Sequence, residues 1–181
     1  MNAGKLYVFT AEGKCHQIKA LSVPVGRYSD KGVPLESVSA LTQQEKVVSV
    51  VSDLKARDTL LFATINGLVK KVLVSEFNTS RKTTDATKLG KDDLLVAAAP
   101  LSGRGDIVLI TKDRFCVAFE QGSISALKRG SLGVTGIKLN KGDEVVFAGA
   151  ADRNGRFTFD GKEYSLAGLD AGRRATKGKV L

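Results

Sequence analysis

LLFATINGLVKKV, residues 60–72, combines an apolar run, a polar turn at Asn66-Gly67 and a second strand-like run. Asn-Gly favours the left-handed backbone of a type I′ turn, whose twist matches that of two paired strands. A β-hairpin is therefore predicted here. Lys70 and Lys71 are neighbours on its second strand, so they face opposite sides and at most one can lie on a binding surface.

The pattern of this hairpin recurs along the chain. The threonine near the end of the first run stands at positions 10, 64, 111 and 158, so successive copies are 54, 47 and 47 residues apart. The predicted turns are Glu12-Gly13, Asn66-Gly67, Lys112-Asp113 and Asp160-Gly161. A repeat of this length is typical of proteins in which each unit buries its apolar face against the next.

Each predicted hairpin is followed by further strand-like runs. Residues 33–38 and 133–139 indicate a third strand, and residues 46–51, 94–98 and 144–148 indicate a closing strand. Helical character is confined to residues 72–78 and 120–128, which are short. Phenylalanines inside the strands, together with Cys15 and Cys116, are expected to fill the core.

These units predict an all-β fold, a propeller-like disc of about four blades built from four-stranded antiparallel sheets. We expect one domain over residues 1–181, with repeats at about 5–52, 59–102, 106–152 and 155–181. The fourth unit reaches Leu181 within its third strand. The last blade is thus expected to be incomplete or to be closed by the N-terminal segment.

The chain of 181 residues has 28 Lys and Arg against 19 Asp and Glu, a net charge of +9. Such an excess fits either a solvated surface or a polyanion partner. The repeat favours the partner, because basic residues recur in the loop that follows each hairpin. The candidate binding residues are Arg27, Lys31, Arg81, Lys82, Lys128, Arg129, Arg173, Arg174, Lys177 and Gly178.

Catalytic and metal chemistry find no support in the sequence. His16 is the only histidine, and the two cysteines are far apart and outside any CxxC pattern. There is no Ser-His-Asp set and no P-loop, so we expect no catalytic residue, no metal and no cofactor. No apolar run approaches the roughly 18 residues of a membrane span, which predicts a cytoplasmic protein without a membrane partner.

The hairpin LLFATINGLVKKV, the basic loops and SLGVTGIKLNKGDEVV at residues 131–146 together resemble a known repeat. It is the blade of the C-terminal domain in the A subunit of bacterial type IIA topoisomerases, DNA gyrase or topoisomerase IV. The resemblance implies a β-pinwheel, in which adjacent blades exchange strands and DNA bends around a basic perimeter.

The gyrase members of this family carry a basic heptapeptide, QRRGGKG. Its nearest match is GRRATKG at residues 172–178, which agrees at Arg173, Arg174, Lys177 and Gly178. The differences at the other three positions suit a topoisomerase IV-like protein, where this motif is degraded or absent.

The resemblance also implies a function without catalysis. The domain would bind and bend double-stranded DNA largely independently of sequence, and would present it to the strand-passage core. The cleaving tyrosine and the ATPase would lie outside this chain, in the N-terminal core of the same polypeptide and in a second subunit. We expect a nucleoid-associated, monomeric domain. The alternative is a protein-interaction platform whose basic loops bind an acidic partner.

Overall fold

The computed structural model describes residues 4–52, 54–55, 57–169 and 172–181. In these residues the chain forms, in order, β1 (Lys5–Thr10), β2 (Lys14–Lys19), α1 (Leu35–Val38), β3 (Val47–Ser52), β4 (Thr59–Thr64), β5 (Leu68–Leu73), β6 (Thr83–Asp85), β7 (Leu95–Leu101), β8 (Asp106–Thr111), β9 (Phe115–Glu120), β10 (Val134–Thr135), β11 (Val145–Ala150), β12 (Arg156–Phe159), β13 (Lys162–Ser165) and β14 (Lys179–Val180).

The strands form three four-stranded antiparallel sheets and one hairpin, which confirms the all-β, propeller-like prediction. The sheet orders are β3-β1-β2-β6 in blade 1, β10-β5-β4-β7 in blade 2 and β11-β8-β9-β14 in blade 3, with β12-β13 as the last hairpin. Within each complete blade, the hairpin and closing strand come from one repeat and the fourth strand comes from the next. Adjacent blades therefore exchange strands, as the resemblance implies, and among the described residues the last blade consists of the hairpin β12-β13.

The position of each strand follows from its neighbours. The closing strand β7 packs against both β3 and β11, so these three strands lie together at the centre of the disc. The exchanged strands β6, β10 and β14 occupy the opposite edge of their sheets. We call this outer edge the rim.

Apolar side chains are buried mainly between consecutive blades. Phe9 of blade 1 meets Phe62 of blade 2 edge to face, with ring centroids 5.3 Å apart. Leu61 of blade 2 packs with Leu109 of blade 3, and Cys116 of blade 3 with Phe157 of the last hairpin. The predicted core role of the strand phenylalanines and of both cysteines is confirmed, since all of them belong to these clusters.

The hairpin turns differ from the prediction in three of four repeats. Only Asp160 and Gly161 both have positive φ, 49° and 69°, as a two-residue type I′ turn requires. The other loops are three residues long, and only their last residue is left-handed: Gly13, Gly67 and Arg114. A hydrogen bond accounts for the recurring threonine in two of the repeats. Thr64 Oγ1 accepts the backbone amide of Leu68, and Thr111 Oγ1 accepts that of Phe115. Thr158 lies on an exposed part of β12 instead.

The predicted third strand of the first repeat is wrong. Residues 35–38 form the single helical turn α1, because the described residues provide no preceding blade whose edge this segment could join. Leu35 and Val38 instead pack on the cluster of Val8, Ile18 and Leu41. In the third repeat the corresponding strand is shorter than predicted and covers only Val134–Thr135. No helix in the described part of the chain is long and apolar enough to span a membrane.

Candidate nucleic-acid interface

Three loops lead into the exchanged strands at the rim. They are rim loop 2 (residues 79–82, before β6), rim loop 3 (residues 128–133, before β10) and rim loop 4 (residues 172–178, before β14), each numbered by its repeat. They contain no acidic residue. Their basic residues are Arg81 and Lys82, Lys128 and Arg129, and Arg173, Arg174 and Lys177.

An arginine in each of rim loops 3 and 4 contacts the exchanged strand of the preceding blade. Arg129 Nη1 donates to the carbonyl oxygen of Asp85 in β6 at 3.1 Å, and Arg174 Nη1 donates to that of Thr135 in β10, also at 3.1 Å. The same contact therefore occurs at two consecutive junctions. It makes the rim loops one continuous strip across three blades.

The residue before each of these arginines points away from the protein. Lys128 and Arg173 are exposed, and neither side chain has a hydrogen-bond or ion-pair partner among the described residues. A hydroxyl three residues later steadies the loop: Ser131 Oγ donates to the carbonyl of Lys128 at 2.7 Å, and Thr176 Oγ1 to that of Arg173 at 3.4 Å. Each pair thus contains one outward cation and one half-buried arginine.

Rim loop 2 borders a cavity of about 530 Å³, and the described residues that line it include no acidic side chain. Arg81 and Lys82 line it from the loop, and Lys5 and Lys19 line it from β1 and β2. The last two were missed by sequence reasoning, although their place at the strand ends farthest from the hairpin turn is readable from the repeat. Four cations around one cavity suit a phosphate group.

Asp85, three residues after rim loop 2, is already paired. Lys14 Nζ donates a hydrogen bond to its carboxylate, which lowers the pKa of Asp85 despite the opposing effect of desolvation. Its charge therefore subtracts little from the positive potential of the strip.

The structure does not bring Arg27 and Lys31 to an exchanged strand. Both lie in the exposed segment before α1, where the carboxylate of Asp30 accepts the backbone amide of Arg27 at 2.6 Å. Their role in binding stays a prediction. They are separate from the strip formed by the other seven basic residues.

The rim glycines have a packing role. A Cβ on Gly178, which has φ 77°, would collide with the carbonyl oxygen of Cys116 in the paired strand β9. A Cβ on Gly133 would come within 2.7 Å of the carbonyl oxygen of Val69 in β5. Close approach of the exchanged strand already requires glycine at these positions, so glycine there is no independent sign of contact with DNA.

A disc whose blades exchange strands and carry a basic rim defines a class of β-pinwheel proteins. A family model described as "DNA gyrase C-terminal domain, beta-propeller" matches residues 58–102 and 105–152, and the chain belongs to this family.

Individual relatives agree with the family. The A subunit of DNA gyrase from Lawsonia intracellularis (strain PHE/MN1-00) is 34% identical over 144 residues, which cover 78% of this chain and 18% of the relative. The chain thus spans less than a fifth of this curated relative.

Two solved structures share the fold. The C-terminal domain of DNA topoisomerase IV has a TM-score of 0.88 at 22% identity, covering 98% of this chain and 58% of the other. The DNA gyrase A C-terminal domain has a TM-score of 0.77 at 20% identity, covering 99% and 60%.

Proposed function

We propose that this chain is a DNA-binding and DNA-bending domain of a type IIA topoisomerase. The observation that carries the proposal is the continuous strip of rim loops 2, 3 and 4. Arginine contacts to Asp85 and Thr135 link consecutive blades, and seven basic residues belong to the three loops. Membership of the gyrase C-terminal family supports it.

The chemistry of the strip suits the DNA backbone. Each Lys or Arg that neutralises a phosphate releases a condensed counterion, and this release supplies most of the affinity in sequence-independent binding. Base readout in the major groove usually requires a helix or a β-ribbon that fits the groove. The longest α-helix in the described residues has a single turn, at Leu35–Val38. The hairpins of the three complete blades are paired within four-stranded sheets and are not free ribbons. Binding is therefore largely independent of sequence.

Bending follows from the arrangement of the loops on a disc. Successive blades turn about the centre, so phosphates that contact rim loops 2, 3 and 4 in order lie along a curved path. The cost of bending DNA depends on its sequence, and this cost gives the main sequence preference.

The domain acts as part of a larger enzyme, since the relatives are A subunits of DNA gyrase. DNA cleavage and ATP hydrolysis reside in regions outside this chain, in the cleavage core and the ATPase subunit. The disc, a monomer, presents a bent duplex to the strand-passage core and so tunes the preference between supercoiling and decatenation.

A salt titration with random-sequence duplex tests the proposal. If about five to eight phosphates are neutralised, the slope of log K against log salt is about −4 to −7. Binding that ignores salt, or no binding below micromolar protein, contradicts it. Tight 1:1 binding to an acidic protein together with negligible affinity for duplex would instead identify a protein-interaction platform.

A further inference from the structure

A lysine side chain is buried beneath rim loop 3. Lys70 of β5 is only 1% exposed, although neighbouring Lys71 is half-buried. Its Nζ donates to the backbone carbonyl oxygens of Lys128 at 3.3 Å, Arg129 at 2.7 Å and Ser131 at 2.8 Å. All three acceptors belong to the loop that carries the outward cation and the bridging arginine.

The number of donors matches the number of acceptors. An ammonium group has three N–H donors, and hydrogen bonds from a charged donor are stronger than neutral ones. The Phe62 ring, with its centroid 6.0 Å from Nζ, adds a favourable surface for the charge. One buried cation thus draws three carbonyls of a four-residue stretch towards a single point, and this fixes the backbone from which Lys128 and Arg129 project.

The equivalent position differs in the other complete blades. Lys70 is the third residue of its strand, as His16 is in β2 and Val117 in β9. His16 bonds to Thr83 Oγ1 at 3.0 Å and to the Glu45 carboxylate at 2.9 Å. Val117 has no polar atom to offer, and a cavity of about 420 Å³ lined by Val117 and Arg173 lies beside rim loop 4. A lysine support from below is therefore specific to rim loop 3 among the three complete blades.

We propose that Lys70 is a positioning residue of the DNA interface. It sets the backbone of rim loop 3 so that Lys128 and Arg129 meet the phosphates, and it does not touch DNA itself. The effect of Lys70 on DNA binding rests on the proposed function. The ordering of the loop by Lys70 can be tested without DNA.

Protonation should control this support. Burial lowers the pKa of Lys70 to about 8, while the charge of Glu76, on the 3-10 turn Val74–Phe77, opposes the shift. A neutral amine has only two N–H donors, so one of the three carbonyls loses its donor as the pH rises through about 8.

The first test measures loop order in the whole chain. Lys70→Met keeps an unbranched side chain as far as the Cε atom and removes the donors. Lys71→Met is the matched control, because Lys71 Nζ donates to Gln121, outside the rim loop. Amide exchange of Ser131, whose N–H bonds to the Lys128 carbonyl at 3.1 Å, should become at least about tenfold faster in Lys70→Met and stay unchanged in Lys71→Met. Unchanged exchange in Lys70→Met overturns the inference.

A pH titration of the unaltered chain tests the same role of Lys70 without a substitution, so its result does not depend on whether Lys70→Met folds. The chemical shift of the Ser131 amide should follow the deprotonation of Lys70, with a midpoint near pH 8. A shift that stays flat between pH 7 and pH 9.5 contradicts the role of the ammonium.

The second test is a double-mutant cycle in duplex binding. Lys70→Met should weaken binding about three- to tenfold, but should have no further effect when Lys128 and Arg129 are already glutamine, because it acts through them. Additive losses overturn the positioning role. If the unaltered chain binds no duplex, the proposed function fails, while the exchange of Ser131 still decides whether Lys70 orders the loop.

Discussion

Rim loops 3 and 4 carry nearly the same residues in the same place on consecutive blades: Lys128-Arg129-Gly130-Ser131 and Arg173-Arg174-Ala175-Thr176. Both send an arginine back to the preceding exchanged strand. The residues beneath the two loops differ. The Lys70 ammonium lies under rim loop 3, whereas Val117 and a cavity lie under rim loop 4. The repeat therefore fixes where the charges lie, and a residue that does not repeat determines how firmly the backbone holds them.

The backbone of the two loops reflects this difference. Ala175 is left-handed with φ 62°, whereas Gly130 at the equivalent position is outside that region. In rim loop 4 an alanine adopts the left-handed conformation, which favours glycine. In rim loop 3 the glycine at the same position does not adopt it. The heptapeptide of the gyrase members has glycine where Ala175 stands, which fits the left-handed backbone found here.

Charge reversal in rim loop 3 or rim loop 4 should weaken duplex binding more than any other change proposed for these loops. Arg173→Glu with Arg174→Glu, or Lys128→Glu with Arg129→Glu, removes about two phosphate contacts and adds repulsion, so duplex affinity should fall about 100-fold near 0.1 M salt. The control is Lys91→Glu with Lys141→Glu, an exposed pair outside the rim loops. Gel-shift titration measures all three. Equal losses in the control pair would mean that DNA follows another surface.

The buried charge of Lys70 should make stability depend on pH. The pKa of Lys70 is about 8 in the folded chain and about 10.5 in the unfolded chain, so between these values the unfolded chain binds more protons and the free energy of unfolding rises with pH. Relative to Lys70→Met, it should rise by about 1–2 kcal/mol from pH 8 to pH 9.5. Urea unfolding at both pH values checks this. A constant difference would show that the ammonium is not disfavoured in the fold.

The buried charge of Lys70 has two opposing effects. Its charge lowers the stability of the disc at neutral pH but gives the loop its third hydrogen bond. Loop 4 has neither this cost nor this support, because Val117 is apolar.

The bridging arginines should give a smaller effect. Arg129→Lys and Arg174→Lys keep the charge but lose the planar donor group that reaches Asp85 and Thr135, so together they should weaken duplex binding about three- to tenfold. The matched changes Lys128→Arg and Arg173→Lys, at exposed positions, should alter it less than about twofold. If both pairs of substitutions have the same effect, the contacts between loops do not organise the strip.

Much of the fold could be predicted from local sequence. Apolar runs around Glu12-Gly13 and Asn66-Gly67 located the hairpins, because the strand period and turn residues are local properties. The strand exchange came from the resemblance, since the short strand at Val134–Thr135 gives no local sign of which sheet it joins. Residues 35–38 form a helical turn because a partner edge is missing, and partner edges are tertiary facts.

The site was partly predictable for the same reason. The basic residues of loops 3 and 4 are evident from the repeat, but their two roles depend on which side chain reaches the neighbouring strand. Strand alternation limits Lys70 and Lys71 to opposite faces without saying that Lys70 is the buried one. Its carbonyl partners lie 58–61 residues further along the chain, which local sequence cannot indicate.

Exchanging the small residues should give the smallest effect. Ala175→Gly relieves a left-handed alanine, and Gly130→Ala adds a Cβ where no atom lies within 4 Å. Each should raise the free energy of unfolding by about 0.5–1 kcal/mol, the first through strain and the second through the unfolded chain. Urea unfolding measures both. A loss of stability in Gly130→Ala would mean that Gly130 has the same left-handed conformation as Ala175.

The proposed bending of DNA along rim loops 2, 3 and 4 would bring the two ends of a short bound duplex closer together. Energy transfer between dyes at the two ends of a random-sequence duplex measures this change. Transfer should increase when the unaltered chain binds, and the increase should be lost with Arg173→Glu and Arg174→Glu. Binding that leaves the transfer unchanged would show that the rim does not bend DNA.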